Sequence, residues 1–170
     1  MKKNSQTRIV TSQREDWPLS FACPENWELR TLAVRDGVRF FLRGPLDPAE
    51  ALFASITVQA QPGEGRTLSE LAREWTERHS AFRTFRLLAH SETNLAGIEA
   101  IQIDAAHDMP LPPGSLRPEM VAVRERIIFA LQGETAYELT YRATKEDFET
   151  HLPVFEALVA SFSLESVYLT

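Results

Sequence analysis

A chain of 170 residues, 44% hydrophobic and 25% charged, suits one domain that buries about two-thirds of its unfolded surface. A net charge of −6, with no basic run longer than Lys2-Lys3, argues against a nucleic-acid binder, which needs a basic face for phosphate. No stretch supplies the roughly 20 apolar residues of a transmembrane span, no apolar signal region follows the N-terminal lysines, and Cys23 has no disulfide partner. The sequence therefore reads as cytoplasmic.

Residues 1–16 are polar and without periodicity, which predicts a disordered tail ahead of a single domain over 17–170. Leu19, Phe21 and Cys23 alternate with Ser20 and Ala22 in a short strand stopped by Pro24. Strands over 27–34 and 38–43 flank Asp36-Gly37, a dipeptide favoured where both hairpin residues take positive φ. Ala54, Ile56, Val58 and Ala60 then alternate with polar residues in a strand with one buried face. Thr67-Leu68-Ser69-Glu70 has the form of a capping box, and Leu68, Leu71, Ala72 and Trp75 follow at helical spacing.

Two further strands, 86–93 and 99–106, meet through Asn94 to Gly97. The Pro-rich stretch 108–119 predicts an irregular loop. Long strands over 121–131 and 135–143 join at Gln132-Gly133-Glu134. Thr144 is placed to cap a last helix with an apolar stripe of Phe148, Leu152, Phe155, Leu158, Val159 and Phe162, which Pro153 is expected to kink or restart. This order predicts an α+β domain on an antiparallel sheet.

Four motifs follow one another along the chain: Pro24-Glu25-Asn26-Trp27 after an early strand, Thr67-Leu68-Ser69-Glu70-Leu71, the Leu95-Ala96-Gly97 turn, and the closing Phe155-x-x-Leu158-Val159-x-Ser161-Phe162. In that order they resemble the PsbP-like superfamily, which includes PsbP-domain and DcrB-like proteins. The resemblance implies an α/β/α sandwich, an antiparallel sheet packed by helices. It also implies non-enzymatic work as an accessory or assembly protein, and it carries over no catalytic residue.

The residues themselves point the same way. No nucleophile elbow, phosphate loop or metal-ligand spacing occurs, so no catalytic residue, metal or cofactor is expected. Asp104, His107 and Asp108 come nearest to a metal cluster, but Asp104 and His107 share a face only if their strand stops near Ala106. Glu125 interrupts the apolar face Val121, Val123, Ile127, Phe129 and Leu131. It is read either as a bulge or solvated strand end, or as a buried carboxylate serving a cavity. Phe41, Ala122, Ile128 and Ala130 fall on the nominally polar sides, as expected if helices cover parts of both faces or if a groove opens to a partner.

Three functional expectations follow. The first is a protein or apolar peptide partner docked on the 109–118 loop, with Met109, Leu111 and Leu116 giving apolar contact and Arg117 and Glu119 setting charge register. The second is a small-ligand carrier or enzyme with a helix-grip-like cavity under the last helix, anchored by Glu125 and His107. The third is a secretion-effector chaperone or structural subunit, with a homodimer patch as its signature.

Overall fold

The computed structural model describes residues 6–45, 52–112 and 114–165. The elements are β1 (Thr7–Thr11), β2 (Ser20–Pro24), β3 (Glu28–Leu32), β4 (Val38–Arg43), β5 (Ser55–Pro62) and α1 (Leu68–His79). They continue with β6 (Arg86–Leu95), β7 (Ile98–Leu111), β8 (Glu119–Gln132), β9 (Thr135–Thr144) and α2 (Phe148–Ser161). β3 to β9 form a seven-stranded antiparallel sheet in the order β3-β4-β5-β9-β8-β7-β6, and β1 pairs with β2 in a separate ribbon. None of the described helices is long and apolar enough to cross a membrane.

Side-chain alternation divides the interior in two. Phe40, Ile56, Val58, Ile128, Leu139 and Tyr141 point to one face, where they pack with Phe21 of β2 and with Phe148, Phe155 and Leu158 of α2. Ile101, Ile103, Ile127, Phe129 and Ala136 point to the other face and pack with Leu71, Ala72 and Trp75 of α1. The sheet is thus the middle layer of an α/β/α sandwich, as expected, and Ile128 and Ala130 belong to the α2 core. The Tyr141 hydroxyl donates to the Phe148 carbonyl at 2.6 Å, tying β9 to the start of α2.

Each sequence motif has a visible job. Thr67 accepts from the Glu70 amide at 3.1 Å and the Glu70 carboxylate accepts from the Thr67 amide at 2.8 Å, which closes the capping box of α1. Ala96 and Gly97 both take positive φ, 51° and 82°, in the two-residue turn between β6 and β7. Buried Trp27 packs on Gly44, where an added Cβ would lie 3.0 Å from the indole. Ser161 accepts from the Ala22 amide at 2.8 Å, and Ser163 pairs with Ser20, so the chain after α2 closes onto β2.

Several expectations are corrected. Thr7–Thr11 lies inside the supposed tail yet forms β1, because a strand with few apolar residues can still be held by its ladder to β2 and by burial of Val10. The β3–β4 connection spans residues 33–37 with positive φ at Gly37 alone, where a Cβ would sit 2.1 Å from the Ala60 carbonyl oxygen; close approach to β5, rather than a two-residue turn, requires that glycine. Thr144 accepts from the Asp147 amide at 3.2 Å in the turn before the helix, and Asp147 occupies the N-cap position of α2. α2 runs unbroken from Phe148 to Ser161 through Pro153. β7 continues to Leu111 instead of giving way to a loop at 108: past Ala106 β8 is its one strand neighbour among the described residues, the Asp108 amide donates to the Thr84 hydroxyl on the other side, and Pro110 is tolerated as on an edge strand.

Phe155 is fully buried, stacked at 5.6 Å on Tyr141. Phe155→Ala is expected to cost about 3–5 kcal/mol of stability, against about 1 kcal/mol for Thr67→Ala, in equilibrium urea unfolding.

Candidate functional site

Two places stand out where cover on the sheet runs out. The first is the far end of the β7–β8 hairpin. β6 pairs with β7 only as far as Ala106, opposite Arg86, and β9 pairs with β8 only as far as Val123, opposite Thr144. β7 and β8 remain paired to Leu111 and Glu119, so their ends project past both neighbours as a two-stranded arm. The structure gathers Met109, Leu111, Leu116, Arg117 and Glu119 on this arm. Leu116 is fully exposed, Arg117 and Glu119 are exposed, Met109 is half-buried and Leu111 is buried. Met120, which lay just outside the predicted loop, adds a 53% exposed apolar side chain on the opposite face from Met109.

The second place is the α1 face of the sheet. α1 packs over β7, β8 and the Ala136 end of β9 and leaves open the same face of β4, β5 and β9 from Glu138 to Arg142. A cleft of about 850 Å³ lies there, with Arg39, Gln59, Glu138 and Arg142 among its sheet residues and Trp75 and Phe82 on the helix side. Burial pushes the Glu138 carboxyl above its ordinary range, with Arg78 pulling the other way.

Glu125 sits at the inner end of this cleft with its side chain fully buried. β8 pairs in regular register there, so neither a bulge nor a solvated end accounts for it. Arg142, directly opposite on β9, donates through Nε to Glu125 Oε1, while Oε2 has no hydrogen-bond partner among the described residues. His107 shares the face and is buried under Phe82, ring centroids 5.0 Å apart and planes 13° from parallel. Burial holds the His107 pKa below its usual value, against the pull of Glu125. The structure therefore brings Glu125 and His107 into one electrostatic cluster.

Asp104 lies on the other face, gripped by Arg126 at 2.8 and 3.1 Å, so it cannot share a ligand with His107. No group of three metal-ligating side chains occurs among the described residues. Among the described residues, Tyr141, Phe148 and Phe155 pack into the space under the last helix, and α2 lines neither the cleft beside α1 nor the smaller one at the base of the arm.

An antiparallel sheet covered by α1 on one face and by α2 with a β-ribbon on the other defines a class of α+β sandwich domains. No protein-family model matches the sequence, and no curated protein matches it; solved structures do. LpqN of Mycobacterium tuberculosis, involved in cell envelope biogenesis, superposes with a TM-score of 0.59 at 13% identity, over 93% of this chain and 91% of that one. Cyanobacterial PsbP (CyanoP) of Synechocystis sp. PCC 6803 does so with a TM-score of 0.57 at 13% identity, over 96% and 94%. The Ran-binding protein Mog1p of Saccharomyces cerevisiae gives 0.59 at 9% identity, over 96% and 97%. The chain has the PsbP-like fold.

Two outcomes test the cluster. Arg142→Leu strands a buried carboxylate and is expected to cost about 2–3 kcal/mol in urea unfolding, less than for a fully buried pair because Arg142 is one-third exposed; the double variant with Glu125→Leu is expected to recover most of it. His107 has its folded pKa below 6.5, so the unfolded chain takes up the proton first as pH falls. Stability is therefore lost from pH 6.5 downward through the lowered folded pKa, and His107→Gln is expected to flatten that part of the stability–pH curve.

Proposed function

We propose that this chain is a non-enzymatic accessory protein that binds a protein partner through the β7–β8 arm. The observation that carries the reading is the arm itself: paired strands that outrun both neighbours, with exposed Glu119 and Met120 on β8 and exposed Leu116 and Arg117 in the connection that joins β7 to β8. An isolated hairpin end with apolar side chains in water gains by being covered, and the flanking charges can fix the register of whatever covers it. The Ran-binding role of Mog1p on the same fold is consistent with partner binding as the work of such a domain.

A second reading, a small polar ligand in the α1-side cleft, is favoured by the unpartnered oxygen of buried Glu125. It ranks lower because the cleft is open and the interior beneath α2 is solid.

A photo-crosslinking phenylalanine analogue placed at Leu116 or Met120 in source cells tests the first reading, with the exposed Glu99 at the opposite end of β7 as control. One discrete protein adduct at both arm positions, absent at Glu99 and lost in Arg117→Glu, is the expected result. Absence of any arm-specific adduct would sink the arm as a docking site and leave the cleft.

A further inference from the structure

The two edges of the large sheet are built differently. β3 is five residues long, and its Glu28 is held by both Arg30 and Arg43, so this edge is short and laced with charge. Natural proteins protect sheet edges in this manner. β6 is ten residues long, has β7 as its single neighbour in the sheet, and is exposed at every position from Arg86 to Glu92. It carries no proline or lysine, and Leu87 and Leu88 are each 47% exposed. α1 stops short of covering it. A slip in register between Leu87 and Ala89 leaves a regular ladder from Ala89 to Leu95, with its outer backbone groups unused by the sheet.

We infer that β6 is a self-association edge, pairing antiparallel with β6 of a second copy about a two-fold axis at Ser91. The register follows from symmetry and charge. A two-fold axis perpendicular to the sheet keeps each face on its own side, so directly opposed residues must share a face. Along β6, His90 and Glu92 lie on the α1 face, opposite Ile103 and Ile101 of β7. Centring the pair on His90 opposes two imidazoles, and centring it on Glu92 opposes two carboxylates. Centring it on Ser91 sets His90 opposite Glu92 of the second copy, and the symmetry repeats that contact. Complementary cross-strand pairs stabilise a ladder and like charges directly opposed destabilise it, so the Ser91 register is selected. The Leu87–Leu88 bulge then flanks each end of the new ladder and is covered by the second copy. The result is one sheet running through two protomers, and the occupant of this edge is a second copy of the same chain.

Sedimentation equilibrium on the full chain and on three surface variants tests this. The wild type is expected to be a reversible dimer. Glu92→His and His90→Glu, each opposing like groups twice, are expected to weaken the dimer about tenfold, and the swap carrying both changes to return within about threefold of wild type. Circular dichroism of these exposed-site variants confirms that they fold. A wild type that stays monomeric up to about 200 µM would overturn the inference, since even a small specific interface should show there. A dimer indifferent to the single changes, or a swap as weak as either single, would equally overturn it.

Discussion

The strand pair β8–β9 at the centre of the sheet serves two interiors at once, and its register is the constraint on which the rest depends. Ile127 and Phe129 feed the α1 core while Ile128 and Ala130 feed the α2 core; across the ladder Ala136 goes with the first set and Tyr137, Leu139 and Tyr141 with the second. A slip of one residue would exchange every one of these side chains between faces. The two-residue turn at Gly133-Glu134 sets the pairing, and the ion pair of Glu125 with Arg142 reads the same register at the far end. A charged pair in that position discriminates more than it stabilises. In any shifted pairing the Glu125 carboxylate would be buried without its cation.

The two faces are covered unequally, and the chain's unusual surfaces lie where cover ends. α2 and the β1–β2 ribbon spread over one face. α1, with 12 residues, is about 18 Å long and spans only a few strands spaced about 4.8 Å apart. What it leaves bare is polar where it faces the cleft, with Arg39, Gln59 and Glu138. The ladder is unused at β6, and the hairpin is unsupported at the arm. The interior is thus closed on both faces of the central strands, and the exposed apolar and unpaired backbone groups lie at the periphery.

How much of this was legible in the sequence follows from how local each signal is. The capping box, the Ala54 to Ala60 alternation and the β8–β9 hairpin are written within a few residues, and the structure keeps them. β1 has no such signal, because its strand character comes from β2. The run of prolines after Asp108 reads as a loop until β8 is seen alongside, and Asp36-Gly37 looks like a hairpin turn although Gly37 serves contact with β5. Glu125 is visible as a break in an apolar face, and its partner follows only from the pairing register: seven residues counted out from Gln132 and Thr135 on either side of the turn reach Glu125 and Arg142. Met120 and Phe82 were missed because exposure and ring stacking depend on which neighbours stop short.

The arm and the β6 edge meet at one point, since the arm begins where Arg86 pairs with Ala106 and β6 starts. In a pair joined about Ser91, the two Arg86 ends lie ten residues apart along the shared ladder, about 33 Å, and run in opposite directions. Each arm then points away from the two-fold axis and stays uncovered. Self-association through β6 and partner binding through the arm are thus compatible in space. A dimer would present two identical arms on one rigid sheet, and a partner with two matching sites at that separation would be held far more tightly than by either arm alone.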